Sequence, residues 1–515
     1  MRKYFIFLCF LFLPVLVHGQ DLSNPACGFN NDSSNHVPTG LITTVNGGTS
    51  YSWHDFVANV PDVGGTWVDG LYGCVNKVLT NVVTLGAGQT HEYAITPAMD
   101  RGDCYVIALD ANAGLGSQYV LGAPTANCPA GFGTWGSTVL SSAQMPAQTG
   151  HVEFIWDYST PGKFWLANGN LIRFCTITGV GTTSCSTRRT FSEYAGAGCG
   201  FMDYAAMNQN GFIDVVCQNV DGGVIDIFVY DTVNDVKSAV YTTTCTGSIA
   251  ASNQPGCLHK LAGPAPSNGI LVQFNNNGCG NETGLHWFAY PTPANPMPQI
   301  ECLTDHVDVM ANLSGQDVGL YEDFQDNSNY CSGSGFRPAR TFLPLSGNPV
   351  GLMCLPAEFG WDISTRDYPV RAWGLYSVQG SAGSIGVSEQ CNNSGTYLDP
   401  ASSNWNPLSN EIVLVRVDAD NDFTKIWRLG LTHERGQCGG NIFYSDPRAS
   451  MSSDGRYVIY ATNARCGTGT CVASVLTDIV VMGGSGSTTL GPLFAGSGSI
   501  LIGPSKMVGP VLIGK

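Results

Sequence analysis

The chain has 515 residues, only 12% of them charged, with 39 Asp and Glu against 23 Lys and Arg and a formal net charge of −16. That surplus of acid repels a phosphate backbone and argues against a nucleic-acid partner. Sixty-four glycines and 10% aromatic residues speak for short strands and tight turns, against helical bundles.

The N-terminus carries Arg2 and Lys3, then an apolar run from Tyr4 to Val17, then Val17-His18-Gly19 with small residues at both recognition positions. This is the grammar of a signal peptide cleaved before Gln20, and the run is short for a spanning helix. Residues 1–19 are expected to leave, 20–482 to form the folded body, and 483–515 to be a Gly/Ser-rich tail or a final strand. No later segment has the roughly 18 unbroken apolar residues a membrane helix needs. A secreted protein is expected, extracellular or, in a Gram-negative host, periplasmic. With Cys9 in the signal, 18 of the 19 cysteines remain, an even number that suits disulfides in an oxidising compartment. Cys175/Cys185, Cys245/Cys257 and Cys466/Cys471 are close enough in sequence to pin loops. There is neither a CxxCH for haem nor a CxxC pair for zinc, so no cofactor is assigned and no metal site is expected. Sequons stand at Asn31, Asn281, Asn312 and Asn392.

Residues 67–80 read as a hairpin, able to complete the last repeat of a closed ring. After it the same pattern recurs: a strand, a polar glycine turn, an apolar strand. Copies run from His91 to Asp110, Gly150 to Phe174, Phe201 to Asn219, His259 to Asn277 and Val307 to Asn327, with a degraded one near Trp373 to Gln390. The cleanest spans Asp446 to Asn463, with the turn Ser453-Asp454-Gly455-Arg456. A second hairpin often follows, as in Ile225–Tyr241, Leu285–Tyr290 and Glu411–Trp427. Two consecutive hairpins make a four-stranded antiparallel blade. The turn glycines 102 and 455 imply a mean repeat of about 59 residues, longer than compact propeller repeats and so rich in loops. The expected fold is all-β: a seven-bladed β-propeller of four-stranded antiparallel blades, with a tandem of β-sandwiches as runner-up.

The turn Ser453-Asp454-Gly455-Arg456 and the strand Tyr457-Val-Ile-Tyr-Ala-Thr-Asn463 resemble the repeat of TolB-type, WD40-like propellers, with Ser453 in place of the usual Pro. The segment from His433 through Tyr444 to Asp446-Pro447-Arg448 is similar to the last blades of propeller polysaccharide lyases of the oligogalacturonate lyase type. The resemblance covers one blade, about 35 residues. Arg448 stands where those enzymes carry a metal-holding His.

In a propeller the first strand of every blade begins beside the central channel, so polar residues there converge from distant parts of the chain. By this logic the candidates are His91, Asp203, His259, His306, Asp308, His433, Arg435, Tyr444, Asp446 and Arg448. His433 or His306 suits a general base, Tyr444 a proton donor, and Arg448 with Arg435 a bidentate carboxylate clamp. Asp446, Asp308, His259, His91 and Asp203 complete a substrate-binding set. Such a set suits β-elimination at a uronic acid, where the clamp stabilises enolate-like charge. The same residues also suit the lining of a wet channel in a non-catalytic propeller that binds a glycan or a protein. Trp361 or Trp405 suits stacking on a sugar ring. Asp418-Ala-Asp420-Asn-Asp422 lacks the glycine and the terminal acid of a calcium loop and reads as a hairpin turn.

Overall fold

A computed structural model describes residues 25–30, 42–56, 59–80, 89–91, 97–110, 118–124, 133–147, 154–202, 206–219, 223–246, 257–275, 278–312, 315–323, 336–342, 350–356, 361–364, 373–378, 411–417, 426–433, 447–452, 455–462 and 473–479, together with Cys128 and Leu408. Their strands form seven antiparallel sheets, numbered I to VII here. Sheet I holds Gln89–His91, Tyr105–Asp110, Gln118–Gly122 and Thr138–Leu140. Sheet II holds Ile155–Trp156, Lys163–Asn168, Leu171–Gly179 and Thr182–Thr190. Sheet III holds Cys199–Gly200, Phe212–Gln218 and Val224–Asp231, the last paired with both Val236–Lys237 and Tyr241–Thr246. Sheet IV holds Leu258–Ala262, Ile270–Phe274, Leu285–Phe288 and Gln299–Glu301. Sheet V holds Thr304–Ala311, Asp317–Asp323, Phe336–Phe342 and Val350–Pro356. Sheet VI holds Trp361–Ser364, Trp373–Val378, Glu411–Arg416 and Ile426–Leu431, with Phe29–Asn30 added at its outer edge. Sheet VII starts with Ser450–Met451, Tyr457–Thr462 and Ala473–Asp478 and continues through Val75–Val78, Thr66–Asp69, Ile42–Val45 and Thr49–Ser52. Sheets I, II, IV and V have the expected four strands; III and VI carry a fifth, and VII reaches seven. The seventh repeat is also relocated, since its first strand is Trp361–Ser364 and Trp373 opens the second.

Apolar side chains on both faces of these strands explain how the sheets associate. Along Phe212–Gln218, Ile213 and Val215 pack toward sheet II while Phe212 and Val216 pack toward sheet IV, as strand alternation requires. Equivalent cores join I to II through Tyr105 and Trp156, IV to V through Trp287 and Val309, VI to VII through Trp373 and Tyr460, and VII to I through Ile459 and Val106. The first strands of V and VI are adjacent. Each sheet thus packs on its successor and VII packs on I, the architecture of a β-propeller. The hairpin of Thr66–Asp69 and Val75–Val78 pairs with Ala473–Asp478, so the two ends of the chain share one sheet, as the sequence suggested.

The turn between first and second strands is the repeated unit. Asp103, Gly211, Asn268, Gly315 and Gly455 donate their N–H to the carbonyls of Asp100, Asn208, Ala265, Asn312 and Ser452, at 2.8–3.1 Å. Each of these donors has φ between 52° and 82°, the left-handed region that Gly, Asn and Asp tolerate best. At Asn268-Gly269 the two residues divide the work. Asn268 takes the left-handed conformation, while Gly269 leaves room for Trp287, whose ring would stand 2.4 Å from an added Cβ. The first turn residue caps the following strand: Asp100 Oδ1 accepts from the N–H groups of Cys104 and Tyr105 at 2.7 and 2.9 Å, and Asn208 Oδ1 from Phe212 at 3.0 Å. The turns also hold one another. Gly162 donates to Asp100 Oδ2 at 2.8 Å, Asn208 donates to the Ala265 carbonyl at 2.9 Å, and Ser267 N–H donates to Asp317 at 3.1 Å.

Six disulfides lie among the described residues: Cys27–Cys74, Cys104–Cys128, Cys175–Cys185, Cys199–Cys217, Cys245–Cys257 and Cys279–Cys302. Two of the expected pairs are there; Cys466 and Cys471 lie outside the described residues. Cys27–Cys74 ties the strand added to sheet VI to the hairpin that completes sheet VII. Gly28 makes that docking possible, because a Cβ there would stand 2.4 Å from the Arg428 carbonyl oxygen.

Asp214, on the sheet III face toward sheet IV, is fully buried. Burial pushes its carboxyl well above the ordinary range, against weaker lowering by backbone N–H groups of Asp214 and Ala206. The folded chain therefore holds a proton there that the unfolded chain releases above about pH 4. The stability tied to it is complete below that pH and is lost as pH rises toward the raised folded value. Asp214→Asn is expected to flatten this slope, with a larger gain in urea midpoint at pH 7 than at pH 4; an equal shift at both would disprove the assignment.

Candidate active site

The first strands of sheets IV, V, VI and VII lie next to one another in sequence around the ring, which makes theirs the axis side. The strands added to VI and VII are at the opposite, outer side. Chain direction then sorts the connections. The tight first-to-second turns lie on one face. The starts of the first strands and the ends of the second strands lie on the other. Long connections at the start of inner strands are where propellers build specificity.

His306 is the third residue of the first strand of sheet V. The register against the second strand shifts between Asp305 and Val307, so His306 is the extra residue of a β-bulge, and its φ is 39°. A bulge re-aims a side chain, and a left-handed imidazole-bearing residue is held there only by its surroundings. Its Nδ1 lies 3.4 Å from Glu322 Oε2 on the neighbouring strand; the two side chains are 20% and 3% exposed. Asp308 follows on the same strand, 4% exposed, its Oδ1 accepting the Val309 N–H at 2.8 Å. In sheet IV, His259 is half-buried on the first strand, and Lys260 is buried opposite Gln273. Gln273 Nε2 donates to the Thr304 carbonyl at 2.7 Å and so ties sheet IV to the start of sheet V. His91 belongs to the first strand of sheet I. Arg448 precedes the first strand of sheet VII by two residues, 1% exposed, with φ 40°.

His433 is elsewhere. It follows the fourth strand of sheet VI and meets the outer hairpin of sheet VII, with Nε2 at 2.9 and 3.0 Å from the two carboxylate oxygens of Asp69. Thr43 donates its hydroxyl to the same carboxylate at 2.9 Å. The His433 ring packs on Phe56 and Trp67 with centroids 4.6 and 6.0 Å away, and the residue is 2% exposed. His433 thus meets the outer hairpin of sheet VII, whereas His91, His259, His306 and Asp308 lie on first strands and Arg448 just before one. Asp203, Arg435, Tyr444 and Asp446 lie outside the described residues, as do Trp405 and the Asp418–Asp422 segment; Trp361 opens the first strand of sheet VI.

Glu322 and Asp69 are the partners that sequence reasoning missed. Both stand among apolar strand residues, Leu320-Tyr321-Glu322 and Trp67-Val68-Asp69, and a carboxylate in such a run announces a buried partner. Cys245, Cys257 and Glu282 bring possible metal-ligand atoms together, but the two sulfurs are joined to each other and provide no thiolate. Asn76, Ile412, Leu429, Val458, Tyr460 and Thr477 line a cavity of about 10 Å³ between sheets VI and VII, room for one water. Tyr460 and Thr477 both donate to Asn76 Oδ1 there, at 3.1 and 2.6 Å.

No protein-family model matches the chain, and no curated protein matches it. Solved structures similar to it include an oligogalacturonate lyase from Vibrio parahaemolyticus, with a TM-score of 0.46 and 9% identity over 81% of this chain and 96% of that one. TolB from Acinetobacter baumannii matches with a TM-score of 0.29 and 12% identity over 66% of this chain and 62% of that one. The Neurospora crassa Pan2 WD40 domain matches with a TM-score of 0.37 and 10% identity over 78% of this chain and 95% of that one. Oligogalacturonate lyase, TolB and WD40 propellers are the kinds of structure that the residues of the last blade resembled.

Proposed function

We propose that this is an exported protein, a single seven-bladed propeller that acts on an extracellular glycan containing uronic acid at the channel mouth where its first strands begin. The observation that carries the reading is the His306 bulge: an imidazole in the left-handed region, part-exposed on an axis-side strand and backed by a buried carboxylate. In this reading His306 removes the proton on the sugar carbon next to the uronate carboxylate. The electron pair forms the new C=C bond as the neighbouring C–O bond breaks, and the departing oxygen takes a proton from Tyr444. Arg448 supplies buried positive charge for the carboxylate as it takes on enolate character. His259, Asp308 and His91 line the same mouth, and His433 belongs to the outer seam. Disulfides and the N-terminal basic-apolar segment support export.

The test is a glycan array together with an ultraviolet screen for unsaturated uronate product, using the secreted chain beginning at Gln20. His306→Ala is expected to lower turnover by about 10²–10⁴-fold, and Arg448→Lys to weaken it while leaving the fold intact. Equal activity of His306→Ala and the parent removes His306 as base. Glycan binding without product leaves a lectin-like propeller, and binding of protein alone leaves an interaction module.

A further inference from the structure

We propose that Glu322 is the positioning residue of this site, holding the His306 proton on Nδ1 so that the lone pair rests on Nε2. The inference rests on the reading of His306 as base. Glu322 sits on the second strand of sheet V, its side chain 3% exposed, and its Oε2 faces His306 Nδ1 at 3.4 Å. Thr304, at the start of the bulged strand, donates its hydroxyl to the Glu322 carbonyl, so the backbone of Glu322 is tied to the strand that carries His306. A neutral imidazole has one donor and one acceptor nitrogen, and the acceptor bonded to one of them decides which carries the proton. A carboxylate on Nδ1 leaves Nε2 as the basic atom and stabilises the imidazolium that forms when it takes a proton. The bulge sets the direction of the ring: in a regular ladder a histidine here would follow the register of its neighbours and its ring would leave Glu322.

The experiment compares Glu322→Gln and Glu322→Asp with the parent. Imidazole nitrogen shifts are read on histidine-labelled protein, with His306→Asn assigning the signal. Glu322→Gln is expected to move the His306 shifts away from the Nδ1–H tautomer and to lower kcat by about 10²-fold with KM little changed; Glu322→Asp restores both in part. Unchanged nitrogen shifts in Glu322→Gln overturn the proposal, whatever happens to stability. The nitrogen readout needs no substrate. A shifted tautomer in a protein that turns over no uronate therefore condemns the proposed reaction and leaves the dyad standing.

Discussion

Arg428→Ala is expected to cost about 3–5 kcal/mol of folding stability, the usual price of stranding one member of a buried ion pair. Arg428 and Glu411 face each other on neighbouring strands of sheet VI, both at 0% exposure. The guanidinium donates through Nε to Glu411 Oε2 at 2.6 Å and through Nη2 to Oε1, a bidentate fork. Burial pushes the Glu411 carboxyl upward, opposed by hydrogen bonds from Arg428 and Tyr72. Removing the guanidinium leaves that carboxyl in an apolar seam with only part of its support. It also removes the cation over the Phe29 ring, 5.0 Å from its centroid, and so loosens the strand added at the sheet edge. Urea unfolding measures the loss. A double replacement, Arg428→Met with Glu411→Leu, is expected to recover most of it, because the desolvation cost disappears with the attraction. A loss under about 1 kcal/mol in the single variant would show the pair to be as weak as an exposed one.

His433→Ala is expected to destabilise by about 3 kcal/mol without lowering activity per folded molecule. The variant leaves the buried Asp69 carboxylate, among the described residues, with the Thr43 hydroxyl as its remaining side-chain partner and empties the space beside Phe56 and Trp67. Asp69 lies in the hairpin contributed by the N-terminal part of the chain, and His433 follows sheet VI. The contact therefore clamps the seam where the ring closes. Thermal unfolding and turnover of the folded fraction separate the two effects. A fall in turnover at unchanged stability would return His433 to the catalytic group and displace His306.

The repeat was legible because every blade needs the same two things: an apolar strand and a residue able to turn back. Asn210-Gly211 and Asp454-Gly455 announce the turn openly. Asp100-Arg-Gly-Asp103 hides it, since the left-handed residue is Asp103 and not the glycine before it. The seventh repeat was misplaced because residues 365–372 contain Asp367 and Pro369 but no glycine or asparagine to mark the turn between the strands that flank them. Of the candidate site, the strand positions were legible: His259 and His306 lie on first strands, and Arg448 lies two residues before one. His433 looked equivalent because it precedes a first strand in sequence, yet eighteen connecting positions separate Leu431 from Ser450, enough for it to belong to the outer seam.

Taken alone, the sequence determined the all-β class and the turn chemistry, because both follow from local residue preferences repeated along the chain. Tertiary structure alone decided which carboxylate each imidazole faces. His433 and Asp69 are 364 positions apart, and no local pattern encodes a contact of that separation. A one-residue bulge likewise decides where His306 points, and it arises from the register between strands, which only the packed sheet fixes.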